Sequence, residues 1–279
     1  MAFHYSRGRL TQHLLLGTVI GGSVAVASTD AFASAWRTMV EASSERVLFA
    51  GGLMVLHTVV FWSVAGAFVY VDRTDRPAFV ARHRIQPTKR KHPALGPTLR
   101  VLVRNQFLLL PLLLIGFQEL LLLRGWEAES YLPSFGRLAL ELIGQGICAT
   151  VVFYTGHRFL HRKWWMKNVH KVHHEFRSTT ALASEYAHPV EFVVGNFGAL
   201  VVGALVIAPH LASIYLFALV SLLTILVHHS GYALPWAPWS VPHDWHHYRF
   251  KELFGTTGAL DRVFGTDKEF RTLEDGDIK

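Results

Sequence analysis

The chain has 279 residues, of which 51% are hydrophobic and only 17% are charged, a balance unusual for a soluble protein of this size. A single cysteine, Cys148, excludes an internal disulfide framework and thiolate zinc clusters. The formal net charge is +7, but the basic residues flank apolar segments and form no solvated basic helix. This pattern favours a membrane over nucleic acid as the partner.

The apolar runs predict an all-α, multi-pass membrane helical bundle with about four to six spans. The first run, 13–28, is Gly-rich and fits either a membrane helix or the apolar region of a signal peptide. The later runs have the length and composition expected of helices that cross a hydrocarbon core of about 30 Å. They cover residues 47–71, 106–123, 138–155, 190–208 and 211–227, and the last two form a helical hairpin broken at Pro209.

The segment 72–104 is predicted to be a polar loop, because it is rich in Lys and Arg and because Pro93 and Pro97 break helices. Pro111 should kink or loosen the span that follows. With the first helix counted, the termini, this loop and the region 157–188 all fall on one side of the membrane. The excess of Lys and Arg there predicts that this side is cytosolic.

Three histidine clusters lie outside the apolar runs, and their members are spaced three or four residues apart. On a helix such residues share a face, so each cluster is expected to aim its imidazoles in one direction. Imidazole is a common metal ligand, and eight are too many for one tetrahedral zinc, so two metal ions are predicted. The candidate ligands are His157, His161, His170, His173, His174, His243, His246 and His247, joined by His188 in EYAHPVE and His229 in HHSGY.

Three carboxylates near these histidines are candidates for holding the ligating rings: Glu185, Glu191 and Asp244. They could equally be partners of nearby basic residues. His57, inside an apolar run, is interpreted as structural. The chain contains no HExxH sequence, so a metalloprotease-type zinc site has no base where it would need one.

The motifs HRFLH, HKVHHEF, EYAHPVE, HSGY, HDWHH and LDRVFGTD occur in the order seen in the fatty acid hydroxylase / sterol desaturase superfamily of membrane di-iron enzymes. The resemblance covers about residues 84 to 267. EYAHPVE, HSGY and RIQP at 84–87 are most similar to sterol C4-methyl oxidases. One departure is Arg162 after His161, where those oxidases often have another histidine.

The resemblance implies two iron ions per chain held by the histidines, O2 as co-substrate, and electrons from cytochrome b5 or a similar external donor. It implies an endoplasmic reticulum membrane with the site facing the cytosol, the bacterial inner membrane being the alternative. Residues 1–135 would then form an N-terminal membrane region with a basic cytosolic loop. Residues 136–279 would form the catalytic region, with a cytosolic histidine-rich helical cap above the hairpin 190–227.

The expected activity is hydroxylation of an unactivated C–H bond of a lipid from the bilayer, most similar to sterol C4-methyl oxidation in sterol biosynthesis. No residue beyond the metal ligands is needed as a general base. Fatty acyl, sphingoid, sterol C5 or other terpenoid substrates, and desaturation, remain open. A metal transporter is disfavoured, because transport sites lie near the midplane within broken helices. Small residues on one span could leave room for a ring system or serve helix packing: Gly195, Gly198, Ala199, Gly203 and Ala204.

Overall fold

The computed structural model describes residues 17–18, 21–22, 29–86 and 93–275. Most of the predicted first helix at 13–28 lies outside the described residues. Across the described part the structure is helical, and it contains no β-strand there. The helices are α1 (Asp30–Glu41), α2 (Val47–Thr74), α3 (Ala78–Ala81), α4 (Leu95–Leu122), α5 (Phe135–Leu160), α6 (Lys163–Trp165), α7 (Pro189–Ile207), α8 (Leu211–His228), α9 (Val241–Arg249), α10 (Ala259–Phe264) and α11 (Lys268–Asp275).

Within the described ranges, five helices are long and apolar enough to cross a membrane: α2, α4, α5, α7 and α8. Since their many exposed Val, Leu, Ile and Phe side chains would be unfavourable in water, the bundle is suited to lipid on its outer face. The predicted all-α, multi-pass membrane fold is confirmed.

The second span begins at Leu95, well before the predicted start at residue 106. Pro97 does not break it, because it lies in the first helical turn, where no N–H is required from it. Arg104 is tolerated within the span because its Nη2 donates to the Ala187 carbonyl at 2.9 Å. A π-helical turn, Arg104–Leu109, directly precedes Pro111, which agrees with the predicted loosening at this proline.

Successive spans run in opposite directions, so the loops that connect them lie alternately at the two ends of the helical bundle. At one end the loop after α3 pairs with the segment after α8, where the Ile85 N–H donates to the Gly231 carbonyl at 2.9 Å. At the other end the Trp126 indole donates to the Pro209 carbonyl at 2.8 Å. We call the first end the cap, formed by residues 75–86, 161–188 and 229–275, and the second the opposite end, formed by 29–46, 123–134 and 208–210, each with the adjoining turns of the spans.

Helices α5 and α7 pack closely along their length, and α8 packs against α2. Gly203 on α7 makes the first contact possible, because a Cβ there would lie 2.8 Å from the Gln145 Cα of α5. Ala204 beside it is buried in the apolar core. Of the two roles predicted for the small residues of this span, Gly203 and Ala204 therefore have the second, close helix packing.

Candidate metal centre

The candidate ligands come from four pieces of the cap and its supporting helices. The last turn of α5 carries His157, and His161 is the C-cap residue of that helix. A π-helical turn, Met166–His170, and a 3-10 turn, His173–Glu175, carry the second cluster. His229 caps the C-terminus of α8, and α9 carries the third cluster.

Nine of the ten predicted ligands converge in two groups, in each of which one ring nitrogen per residue lies within 4.8 Å of all the others. The five-histidine group consists of His157, His161, His170, His174 and His246. The four-histidine group consists of His173, His229, His243 and His247. The two groups are neighbours, since the ring centroids of His174 and His247 are 4.7 Å apart.

The two trios do not each aim in one direction, so that prediction was wrong. His246 and His247 are consecutive on α9, where a step of one residue turns the side chain by about 100°, and they enter different groups. His173 and His174 are divided in the same way. Histidines four residues apart do enter the same group. Because each trio contributes to both groups, the two groups lie side by side.

Backbone carbonyls fix the tautomers of the rings in the five-histidine group. Nδ1 of His157 lies 2.8 Å from the Phe254 carbonyl oxygen, and Nδ1 of His246 lies 2.6 Å from that of Glu252. A carbonyl only accepts, so in both neutral rings Nδ1 carries the hydrogen and Nε2 presents a lone pair.

The same device operates in the four-histidine group. His229 Nδ1 donates to the Ile225 carbonyl at 2.8 Å, and His247 Nδ1 donates to the Phe176 carbonyl at 2.9 Å. Nε2 of each of these two rings therefore has a lone pair available for a metal ion. Nε2 of His243 lies 2.8 Å from that of His229 and 3.1 Å from that of His247. Nδ1 of His173 likewise faces the Tyr186 carbonyl oxygen, at 3.3 Å, so its Nε2 is bare and lies 3.3 Å from the bare Nε2 of His229, where the two lone pairs repel each other.

The two ring nitrogens of His170 also favour a bound cation. Its Nδ1 lies 2.8 Å from Oε1 of Glu191, and its Nε2 faces Nε2 of His157 at 3.2 Å. Nε2 of His246 is buried, and no described residue offers it a hydrogen bond. Converging imidazole nitrogens without hydrogens are what borderline transition metals bind, so the donor set fits a metal in each group.

Burial keeps these rings neutral, which is the form that binds a metal. Desolvation lowers the pKa of His170 to about 3 and that of His173 to about 4. It also lowers the pKa of His243, His246 and His247 well below the ordinary histidine value, and the neighbouring imidazoles act in the same direction.

The three candidate carboxylates have different partners. Glu191 holds His170, as described above. Asp244 accepts hydrogen bonds from Gln86 Nε2 at 2.8 Å and from Thr179 Oγ1 at 2.9 Å, which fastens α9 to two other parts of the cap.

Glu185 accepts from Nε2 of His57 and from Nε2 of Gln106, each at 2.7 Å. It therefore joins the cap to α2 and α4, in keeping with the structural role predicted for His57.

His188 is the predicted ligand that the structure does not bring into either group. Its Nδ1 accepts the N–H of Val190 at 3.2 Å, so the side chain caps the start of α7. A ligand role for His188 stays a prediction.

One residue important for the site had not been singled out from the sequence. Asp261 is fully buried and accepts the N–H groups of Phe254 and Gly255 at 2.8 Å each. It thereby fixes the loop whose Phe254 carbonyl orients His157. Asp261 lies in the LDRVFGTD motif, which the sequence analysis had identified. Its role could not be read from the motif, because its partners are backbone N–H groups that any residue type can supply.

A cavity of about 270 Å³ extends from the two histidine groups down between α5, α7 and α8. Its walls run from His157 to Gly146 on α5 and from His228 to Phe217 on α8, a helical rise of about 16 Å in each case. Gly195 and Ala199 of α7 also line it. These two small residues therefore leave room in the cavity, unlike Gly203.

An all-helical membrane bundle with two histidine groups above an apolar cavity defines a membrane protein with a candidate two-metal centre. The sequence profile described as fatty acid hydroxylase matches residues 143–266. The chain belongs to the fatty acid hydroxylase family, a family of lipid hydroxylases and oxidases, and it is an oxidoreductase of the monooxygenase type.

Curated relatives include the human fatty acid hydroxylase domain-containing protein 2, which is 35% identical over 81% of this chain and 69% of its own length. Methylsterol monooxygenase 2-2 of Arabidopsis thaliana is 33% identical over 88% of this chain and 97% of its own length. Fatty acid hydroxylase ahd1 of Mycosarcoma maydis is 35% identical over 77% of this chain and 59% of its own length. No solved structure matches the chain.

Proposed function

We propose that this chain is a di-iron monooxygenase that uses O2 to oxidise a C4 methyl group of a sterol. The observation that carries the proposal is the cavity between the spans, which ends directly at the two histidine groups. A substrate dissolved in the bilayer can reach such a site from the side without crossing bulk water.

The five-histidine group would hold one iron and the four-histidine group the other. Imidazole suits iron, and the absence of carboxylates from both groups leaves the bound ions with a high positive charge. When bound, the pair of irons would supply the activation of O2 that attack on an unactivated C–H bond requires.

The chain's own residues would position the imidazoles and the substrate and would exclude water from the site. Glu191 and the carbonyls of Phe254, Glu252, Ile225 and Phe176 hold the imidazoles in one orientation. The apolar stripes of α5 and α8 would align the substrate and exclude water. Hydroxylation of a methyl group depends mainly on such positioning, so a general base is not required.

Two observations support a sterol as the substrate. Methylsterol monooxygenases 2-2 and 2-1 of Arabidopsis thaliana align over 97% and 96% of their lengths, so the likeness includes the N-terminal spans. The cavity is also bordered by Gly195 and Ala199, which widen it on the α7 side where larger residues would narrow it to a channel.

The direct test compares substrates. Purified, iron-loaded protein in lipid vesicles is incubated with O2, a reductase system and either a 4,4-dimethyl sterol or long-chain acyl lipids, and the products are identified by mass spectrometry. We expect oxygen from O2 on the C4 methyl group as alcohol, aldehyde or acid. Oxygenated acyl product with untouched sterol would contradict the substrate and leave the oxygenase chemistry in place.

We further propose that the cap faces the cytosol, at the endoplasmic reticulum, and receives electrons from cytochrome b5 or a similar acidic protein. Exposed basic side chains on the cap suit such a partner: Arg162, Lys163, Lys167 and Lys171. Arg84 is less available, because it is paired with Asp72 and Asp75 at 2.8 Å each. Reduction by a soluble donor should slow as ionic strength rises, and salt-independent reduction would contradict this docking.

A further inference from the structure

His228, the last residue of α8, is an imidazole that neither histidine group uses. It is only 6% exposed and borders the cavity. Its ring stacks on that of His243 with 6.2 Å between the centroids, which places it at the metal end of the cavity. Neither of its ring nitrogens is hydrogen-bonded to any residue that the structure describes.

A buried imidazole without a partner is unfavourable unless a ligand or water supplies one. The other histidine rings beside the cavity have assigned roles, since His57 is bonded to Glu185 and the remaining five belong to the two groups. Those five are His157, His170, His173, His229 and His243. His228 is therefore a polar group placed against the substrate space with its hydrogen-bonding capacity unused.

Two hydroxyl groups that border the same cavity are already engaged by the backbone. Ser184 Oγ donates to the Ala181 carbonyl at 2.8 Å, and Thr224 Oγ1 donates to the Val220 carbonyl at 2.7 Å. Thr224 lies one turn before His228 on the same face of α8 and also borders the cavity. It differs from His228 in having its donor satisfied within the helix.

The chemistry of a sterol specifies where its polar group must bind. The 3-hydroxyl group is on the carbon next to C4, so when a C4 methyl group faces the metal centre the hydroxyl is also close to it. Its partner must therefore lie at the metal end of the cavity rather than deep between the spans. A neutral imidazole offers one donor and one acceptor, which matches a hydroxyl group.

We propose that His228 binds the 3-hydroxyl group of the sterol and so directs the C4 methyl group towards the two histidine groups. This inference rests on the proposed function. His228 would be a positioning residue that also selects substrates, because an acyl chain carries no hydroxyl group at the equivalent place.

The test compares a 4,4-dimethyl sterol with its 3-deoxy analogue in wild-type protein and in His228→Leu. Wild type should favour the hydroxylated substrate by about tenfold in kcat/KM, the value expected for one hydrogen bond in a buried site. His228→Leu should lose this preference through a higher KM for the hydroxylated sterol. His228→Gln, which keeps a donor and an acceptor, should recover part of it.

Thr224→Val is the matched control, since it removes a polar group from the same cavity face without removing an unused donor. Whatever its overall rate, it should keep the preference for the hydroxylated sterol. Bound iron is measured in every variant and should stay at the wild-type value in His228→Leu and His228→Gln.

Three results would overturn the inference, and they are distinguishable. An unchanged preference in His228→Leu would refute the role of His228 alone. Loss of iron in both His228 variants would make His228 a further ligand of the four-histidine group. Absence of sterol oxidation by wild type would refute the proposed function and this inference with it.

Discussion

The cap and the opposite end both bury polar side chains, but they satisfy them in different ways. At the opposite end, Glu141 is almost fully buried and accepts hydrogen bonds from Arg137 Nε at 2.7 Å, from the His210 N–H at 3.1 Å and from Ser213 Oγ. Donors and acceptors of the chain match there, so this cluster is complete without a ligand.

In the cap, by contrast, acceptors face acceptors. The rings are oriented by carbonyls on one side and present bare nitrogens to each other on the other side, as between Nε2 of His173 and Nε2 of His229 at 3.3 Å. A cation bound between the nitrogens would relieve this repulsion. The cap would therefore gain stability from a bound metal ion, whereas the opposite end is complete with its own side chains.

The largest effect is expected when a histidine of either group is removed. His246→Ala should lose bound metal and essentially all activity, because it removes a donor from the five-histidine group and opens a cavity beside the other rings. Metal analysis and turnover of the same preparation measure both effects.

His188→Ala is the control for this variant, because the ring caps α7 and lies outside both groups. Retained metal is expected. Equal loss of metal in His188→Ala would instead make His188 a ligand, as the sequence had predicted, while full activity of His246→Ala would contradict the metal centre as a whole.

Acidification should separate the two ends next. The pKa of His173 is lowered to about 4 and that of His170 to about 3, chiefly by burial, whereas an unfolded chain protonates histidine near pH 6.5. The unfolded state therefore binds more protons below about pH 6.5. The metal-free cap should lose about 1.4 kcal/mol per pH unit for each such histidine until its folded pKa is reached.

At the opposite end burial also lowers the pKa of His210, so that end shares a smaller part of this loss, and its main carboxylate pair responds only at lower pH. Hydrogen bonds from Arg137 lower the pKa of Glu129, so this pair contributes stability above the ordinary glutamate pKa and loses it as pH falls through the lowered value. Thermal unfolding of metal-free protein, followed between pH 7 and pH 4, should show a continuous fall. A flat profile down to pH 5 would contradict the neutral, buried state of the cap histidines.

Glu141→Ala tests the opposite end itself. It leaves the Arg137 guanidinium, the Ser213 hydroxyl and the His210 N–H without their shared acceptor. We expect destabilisation of about 3 kcal/mol, mainly because the buried Ser213 hydroxyl and the His210 N–H lose their acceptor, since Arg137 is partly exposed and keeps Glu129 as a partner. The metal content should not change, because no ligand is touched. Loss of metal at wild-type stability would show that the two ends are not independent.

The sequence predicted the fold class because membrane-spanning helices are visible in it as long runs of apolar residues. It placed the start of α4 wrongly because Pro97 looks like a helix breaker, although a first-turn proline leaves the hydrogen bonds of the helix intact. The partner that makes Arg104 tolerable in that span, the Ala187 carbonyl, is distant in the chain and leaves no pattern there.

The convergence of nine histidines was predictable because histidines at helical spacing are rare, whereas the position of His188 outside both groups was not. The division into groups of five and four was not, because it depends on how α9 is rotated against α5 and on the irregular turns at 166–175. The carbonyls that set the tautomers, such as that of Phe254, belong to the backbone, and any residue type could supply them.

The smallest effect is expected at the rim of the opposite end, where Arg46 Nε lies 2.9 Å from Glu119 Oε1. Both side chains are largely exposed, at 68% and 45%, so water already solvates the two charges. Arg46→Ala should therefore destabilise the protein far less than Glu141→Ala, and high salt should reduce the effect further. Thermal unfolding of Arg46→Ala beside Glu141→Ala measures both in one series. A cost for Arg46→Ala equal to that for Glu141→Ala would contradict the view that burial, rather than pairing, is what makes the inner cluster important.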